Sequence, residues 1–393
     1  MSGPQRHVST GYTIFNRARL VRGGGDYFAA MEEMIRKARY SIHLQIYIFE
    51  EDLTGQRIAA LLREAASRGV DVWLMVDGYA SRGLSDELLE GFRISGIRFR
   101  YFEPLMQGGN WYVGRRMHHK VLVADGLSGL VGGLNVSDRY NDLPGRPAWL
   151  DWAVEVEGEA AFELFRTCVQ VWMRNPVAAR RLIAAHPSPV FDINIACPVR
   201  VRRNDWVNRK GQVSRSYLEL LRNAEQEVII MSSYFLPGRA IRRSLRQATR
   251  RGVTVRLILA GISDVSVAKH AERFMYRYLL RCGAEIYEYR RNVLHGKIAV
   301  RDGLWVTAGS YNVNNISAYA SVELNLDVDD AGFGSNVRET LQTIIGQDCI
   351  RITPDDYRTR YHWPVRILQW LSYLLFRIVF FLFTFYFRQH HRD

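Results

Sequence analysis

The alternation of apolar and polar positions divides the chain into two passages that run through the same elements in the same order. Residues 40–78 read YSIHLQIYIFEEDLTGQRIAALLREAASRGVDVWLMVDG, and residues 226–261 read QEVIIMSSYFLPGRAIRRSLRQATRRGVTVRLILAG. Each opens on an apolar run of strand type, 42–49 or 228–235. Each continues with apolar positions three and four apart (Ile58, Leu61, Leu62, Ala65; Ile241, Leu245, Ala248), the spacing of an amphipathic helix. Arg-Gly-Val ends each helix, and a second buried strand follows at 72–76 or 255–259. Strand, crossover helix and strand of this length form a right-handed parallel unit. The sequel repeats as well. Ser85 is placed to cap a helix reaching Phe92 before a strand at 97–102, and a helix over 267–281 precedes a strand at 285–289.

This pattern predicts two similar α/β domains, each a mostly parallel sheet flanked by helices, packed face to face with the active site between them. The boundaries fall at 1–175 and 213–355. Between them lies a linker at 176–212 that carries Pro176, Pro187, Pro189 and Pro198. Residues 356–393 form a tail of different character. From 363 to 387 it reads WPVRILQWLSYLLFRIVFFLFTFYF, followed by Arg388, His390, His391 and Arg392. A bilayer span needs roughly 20 apolar residues, but Arg377 stands at the midpoint of the run, where a charge is costly. Wound as a helix, Arg366, Gln369, Tyr373, Arg377, Thr384 and Arg388 gather on one side. That suits a helix lying in the headgroup interface; spanning and packing on the globular fold are the other two readings.

Composition narrows the partner. The net charge of +13 favours anions, whether nucleic acid, acidic phospholipid or phosphate esters. Against an arginine-rich background only Lys37, Lys120, Lys210, Lys269 and Lys297 are lysines, so two of them inside a repeated motif draw attention. The four cysteines form no CxxC pair, which argues against zinc and against a disulfide framework. No secretory signal is visible at the N-terminus, so the catalytic domains are expected to face the cytoplasm.

The most specific repeat carries the chemistry. Residues 118–135 read HHKVLVADGLSGLVGGLN and residues 295–312 read HGKIAVRDGLWVTAGSYN, both fitting H-x-K-x4-D-x6-G-[GS]-x-N. Residues two apart on a strand share a face, so His118 projects with Lys120 and His295 with Lys297. A turn and a returning strand bring Asn135 and Asn312 back beside them. Two halves together present two imidazoles, two ammonium groups and two amides, a set suited to a phosphodiester. Lysine and asparagine hold its oxygens, one histidine attacks phosphorus, and the other protonates the leaving oxygen. The candidate catalytic set is His118, Lys120, Asp125, His295, Lys297 and Asp302, with the two aspartates expected to fix the turn backbone. Neither a metal nor a cofactor is expected.

The paired motifs resemble those of the phospholipase D superfamily, over roughly residues 15–350. The resemblance implies a covalent phosphohistidine intermediate and two-step transfer, with His118 as nucleophile and His295 as acid and then base. It also implies a carboxylate orienting each histidine: Glu323 (in SVELN) for His295, and Asp151 (in LDWAVEV) for His118. Flanking segments VDGYASRGLS, RRMHHK, SSYFLPG, LHGK and SVELN look like bacterial cardiolipin synthases lacking a long N-terminal transmembrane pair. Substrates implied are phosphatidylglycerol as donor and acceptor, cardiolipin and glycerol as products, and an inner-membrane surface as partner, without nucleic acid. The first motif departs from the family pattern in having Gly133 where the second has Ser310, which would remove one phosphate donor. Residues 107–116 (QGGNWYVGRR), with Trp111, Tyr112, Arg115 and Arg116, read either as a lipid-facing mouth or as a surface loop. Rival activities are phospholipid hydrolysis and, using the same catalytic set, nuclease action. Oligomeric state is left open.

Overall fold

The computed structural model describes residues 11–104, 106–107, 110–111, 115–187, 189–205, 210–314, 317–318 and 321–389. The first half contains β1 (Asn16–Arg22), α1 (Gly25–Lys37), β2 (Ser41–Ile46), α2 (Leu53–Ser67), β3 (Asp71–Asp77), α3 (Asp86–Ile94) and β4 (Arg98–Phe102). A two-residue hairpin, β5 (Met106–Gln107) and β6 (Asn110–Trp111), precedes β7 (Arg116–Met117), β8 (Lys120–Ala124), β9 (Ser128–Gly132), β10 (Trp152–Gly158), α4 (Glu159–Met173) and α5 (Pro176–Ala185). The second half runs β11 (Val199–Asp205), β12 (Lys210–Gly211), α6 (Gln212–Asn223), β13 (Glu227–Ser232), α7 (Arg239–Arg250), β14 (Thr254–Ile262) and α8 (Ser266–Arg281). It continues with β15 (Glu285–Val293), β16 (Lys297–Arg301), β17 (Trp305–Gly309), β18 (Ser321–Asp329), α9 (Ala331–Asp348), β19 (Cys349–Ile352), α10 (Pro354–Arg360) and α11 (Trp363–Gln389).

The repeat in the sequence is a repeat in topology. One sheet has the order β1-β10-β9-β8-β2-β3-β4; the other has β11-β18-β17-β16-β13-β14-β15, with β12 and β19 added at its edges. Along these two orders the crossover strands are parallel, β2-β3-β4 and β13-β14-β15, and the short β7 adds a parallel pair with β18. The motif hairpins β8-β9 and β16-β17 and the strands beyond them are antiparallel. The sheets are therefore mixed rather than mostly parallel, because a three-residue turn (Asp125–Leu127 or Asp302–Leu304) permits only a hairpin return. The expected linker, 176–212, carries α5 and also β11, a full strand of the second sheet paired with β18.

Side-chain alternation explains how the halves meet. Val121 and Val123 of β8, Ile229 and Met231 of β13, and Ile298 and Val300 of β16 share one buried cluster lying between the two sheets. Their neighbours of opposite parity turn outwards: Leu122 and Ala124 pack under α1 and α2, and Val228, Ile230 and Ala299 pack under α6, α7 and α8. A sheet buried on both faces needs apolar residues at successive positions, which is why these strands read as continuous runs.

Helix α11 docks on α8 with a mixed face. Tyr373 stacks on Phe274 at 4.8 Å, Val365 packs on the second-half core, and Gln369 and Ser372 are buried. Trp363, Ile367, Leu368, Trp370, Leu371, Leu375 and Ile378 remain exposed. Gln369 and Tyr373, expected on the outward polar side, thus face the protein, while an apolar stripe faces out beside the exposed Arg366 and Arg377. Among the described residues no helix is long and apolar enough to cross a membrane. The side chains of Thr384 and Arg388, and residues His390, His391 and Arg392, lie outside the described residues.

Candidate active site

Strands β8 and β16 run antiparallel to β2 and β13. His118 and His295, just ahead of them, therefore stand at the carboxyl ends of the parallel strands, where α/β sheets open to ligands. Backbone contacts between the halves fix both residues in equivalent ways. Met117 lies beside Val322 in the parallel β7–β18 pair, and His118 N donates to Val322 O at 3.0 Å. In the repeat, Leu294 bridges Leu150, and His295 N donates to Leu150 O at 2.8 Å.

The residue after Val322 is Glu323, and the residue after Leu150 is Asp151. Each histidine thus meets the carboxylate of the other half: His118 Nδ1 is 2.9 Å from Glu323 Oε2, and His295 Nδ1 is 2.6 Å from Asp151 Oδ2. This corrects the pairing expected from sequence, which gave each histidine the carboxylate of its own half. The correction follows from the bridges, which set the carboxylate-bearing strand of one half against the motif strand of the other. A buried carboxylate on Nδ1 holds the proton there and leaves Nε2 for chemistry.

Lys120 and Lys297 are buried to the same degree and occupy equivalent places, each ammonium donating to the carbonyl of its motif histidine. Lys297 Nζ also lies 3.3 Å from His295 Nε2. Burial pushes Lys120 down to about 7 and lowers Lys297 too, against the fields of Glu323 and Asp151. His118 is lowered mainly by burial, which Glu323 opposes. His295 is lowered well below its usual range by burial and then by Lys297, Lys120 and His118. Asp151 is raised to about 6 by burial, which Lys297 opposes. Both imidazoles are thus biased towards the uncharged form, and Asp151 towards holding a proton more readily than an ordinary carboxylate. His118 senses Lys297, and His295 senses both Lys120 and His118, so the two motifs share one electrostatic site.

Three aromatic rings that the motif does not contain complete the walls. Tyr47 packs edge-on against His118 at 4.9 Å and lies under Lys120 Nζ at 5.0 Å. Tyr140 packs edge-on against His295 at 5.2 Å, with Trp149 at 6.1 Å. Sequence reasoning missed all three: Tyr47 falls inside the apolar run 42–49, and neither Tyr140 nor Trp149 stands at a motif position. Asn135 accepts from Ile48 N at 3.0 Å and donates to Tyr140 OH at 2.9 Å, so its amide is committed to the wall. Asn312 Oδ1 accepts from Ser233 Oγ at 2.7 Å.

Ser310 is not aimed at a phosphate. Its hydroxyl donates to Glu323 Oε2 at 2.5 Å, the oxygen that also receives His118. At Gly133 a Cβ would sit 2.5 Å from both carboxylate oxygens of Asp151, so glycine there makes room for the shorter acid, whose Oδ1 accepts from Trp152 N at 2.7 Å. Glycine at 133 therefore costs the site no phosphate donor. Gly133→Ala is expected to displace Asp151 and slow turnover by about 100-fold, measured as kcat with the fold checked by circular dichroism.

Asp125 and Asp302 lie away from the site. Asp125 accepts from the backbone N–H groups of Arg39, Tyr40 and Ser41 at 2.7–2.9 Å. Asp302 accepts from those of Glu225, Gln226 and Glu227 at 2.9–3.0 Å. Each lies seven positions from its histidine across a five-residue strand, roughly 20 Å away. Their inclusion in the catalytic set is corrected: they clamp the entry of β2 and β13, with φ of 54° and 53° at the turn. His119 is fully buried and meets Gln45 Oε1 at 2.9 Å, away from the lysines. Tyr112 and the Trp111 side chain lie outside the described residues. Arg115 pairs with Asp205 at 2.5 Å and Arg116 with Asp77 at 3.4 Å, so these cations brace the protein. Among the described residues no cluster of His, Cys, Asp and Glu fits a metal ion.

A duplicated α/β fold with its histidines on a seam between the halves is the arrangement of the phospholipase D class. The family model described as "Cardiolipin synthase, PLD-like domain" matches residues 31–145 and 217–345. The chain is 34% identical over 368 residues to cardiolipin synthase B of Salmonella typhi, covering 91% of this chain and 87% of that protein. It is 31% identical over 366 residues to cardiolipin synthase A of Pseudomonas aeruginosa, covering 93% and 73%. In fold it is similar to the crystal structure of phosphatidylserine synthase from Haemophilus influenzae, with a TM-score of 0.70 at 14% identity, covering 95% of this chain and 96% of that one. The chain belongs to the cardiolipin synthase family of phospholipase D-like proteins.

Proposed function

We propose that the protein makes cardiolipin by moving a phosphatidyl group from one phosphatidylglycerol to another, with release of glycerol. The observation that carries this reading is the crossed pair of histidine–carboxylate contacts, which gives a single site two oriented imidazoles between two buried lysines. In the first step His118 Nε2 attacks phosphorus. The bond from phosphorus to the glycerol oxygen breaks, its electron pair leaves on that oxygen, and a proton from His295 Nε2 completes the alcohol. In the second step a hydroxyl of the next phosphatidylglycerol gives its proton to His295 and bonds to phosphorus, and the phosphorus–nitrogen bond breaks to restore His118. Burial, and then the two lysines beside it, favour the uncharged form of His295 in the resting site. An arriving phosphodiester offsets that charge and raises its basicity, so the proton is taken up with the substrate. His118, at 17% exposure against 9% for His295, is the more open to a lipid headgroup.

The exposed apolar stripe of α11, rimmed by Arg366 and Arg377, suits an anionic bilayer surface, with the helix lying on the leaflet and its other face held by α8. Incubating the protein with phosphatidylglycerol vesicles tests both parts. The reading expects cardiolipin and glycerol in equal amounts and sedimentation of the protein with the vesicles. Phosphatidic acid as the sole lipid product would refute the transfer, and absence from the pellet would refute the surface contact.

Lys120 has a sign that can be tested. Held down at about 7, it is protonated below that pH and neutral above it. The resting site therefore loses anion affinity as pH rises. Sulfate, whose charge is constant in this range, is expected to bind up to about ten-fold more weakly at pH 8 than at pH 6, as read by calorimetry; affinity independent of pH would contradict it.

A further inference from the structure

We propose that Asp264 and Tyr234 form the alcohol subsite, a carboxylate–phenol pair that binds the hydroxyl groups of the leaving and incoming polyol headgroups beside His295. This rests on the transferase reading and specifies where its alcohols bind.

The pair sits at the right end of the sheet. Ser232, the last residue of β13, is flanked in the ladder by Lys297 of β16 on one side and Leu259 of β14 on the other. Tyr234 follows two residues later, Asp264 lies in the turn after β14, and the Tyr234 hydroxyl donates to Asp264 Oδ1. The tyrosine backbone is fixed from both sides: Ser233 Oγ donates to Asn312 Oδ1 at 2.7 Å, and Phe235 N donates to Glu272 Oε2 at 2.9 Å. Asp264 is exposed, and its negative charge acts on His295, Lys297 and Tyr140. It therefore faces the His295 side of the site.

Phosphoryl chemistry itself has no use for that charge. A carboxylate repels a phosphodiester but accepts strongly from hydroxyl groups. The first half lacks such a group. Aligning Gly78 with Gly261 puts Ser81 at the position of Asp264, and Ser81 is buried with its hydroxyl donating to Tyr47 O at 3.0 Å. The two sides thus differ in their carboxylates: on the His118 side Asp77, which acts on Lys120, is buried and paired with Arg116, whereas Asp264 beyond His295 is exposed. The alcohol must bind on that second side, because His295 gives and takes its oxygen's proton. A polyol can react through one hydroxyl while a neighbouring hydroxyl bonds to Asp264. Water has no second hydroxyl, so this contact favours alcoholysis over hydrolysis.

The test is product partition. Full-length wild-type protein, Asp264→Asn and Asp264→Ala are given phosphatidylglycerol vesicles with deuterated glycerol. Three products are then counted by mass: cardiolipin, phosphatidylglycerol carrying the deuterated headgroup, and phosphatidic acid. Both variants are expected to shift the ratio of the two alcoholysis products to phosphatidic acid by at least about ten-fold towards water, and Asp264→Glu to recover part of it. A merely structural residue would lower all three products together. An unchanged ratio in both variants overturns the subsite while leaving the transferase reading intact. Wild-type protein that yields phosphatidic acid alone refutes that reading and the subsite with it.

Discussion

His118→Ala and His295→Ala are each expected to remove phosphatidyl transfer, with turnover falling by at least about 10⁴-fold, and the double variant to be no slower than either single one. Groups that act as one unit fail together, so their losses do not add. The two losses differ in kind. Without His118 no nucleophile reaches phosphorus, and glycerol is not released even in a single turnover. Without His295 the leaving oxygen lacks its proton donor and the acceptor lacks its base. Both side chains end strands whose cores lie elsewhere, so thermal unfolding is expected to shift little. Full activity in either variant, measured by cardiolipin formation, would contradict the two-histidine mechanism.

The second large effect separates crossed from uncrossed pairing. Glu323→Gln is expected to slow glycerol release by about 10³- to 10⁴-fold, because an amide leaves the His118 imidazole free to adopt the wrong tautomer. Asp151→Asn acts on His295 and is expected to slow both half-reactions. The discriminating signal is nitrogen NMR of the histidine rings. Glu323→Gln should change the tautomer of His118 and spare His295, and Asp151→Asn should do the reverse. The opposite pattern would restore the pairing within each half.

Much of this site is legible in the sequence because it is written twice. Two copies of one spacing, in matching places of a repeated strand–helix–strand pattern, give the duplicated fold, its shared seam, and the residues His118, Lys120, His295 and Lys297. What the sequence leaves out are relations across the seam. Which carboxylate serves which histidine depends on the register of Met117 against Val322 and of Leu150 against Leu294, and no local periodicity encodes that register. The same limit explains Gly133 and Ser310, which read as a lost and a kept phosphate donor until Asp151 and Glu323 are seen against them. The mixed character of the sheets is a simpler miss. Continuous apolar runs show burial on both faces, and strand direction has to be inferred from the connections. The motif hairpins, with their short Asp-Gly turns, already required antiparallel pairs. For α11 the periodicity groups Arg366, Gln369, Tyr373 and Arg377 on one side, but contact with α8 turns Gln369 and Tyr373 inward and leaves Arg366 and Arg377 exposed.

Soaking crystals of the protein with tungstate, a tetrahedral oxyanion that stands in for the phosphoryl group, tests the shared site most directly. The account expects one bound oxyanion within contact of Nε2 of both His118 and His295, with the ammonium groups of Lys120 and Lys297 on its remaining oxygens. Two oxyanions in separate pockets, or one that touches a single histidine while the other is walled off, would contradict it.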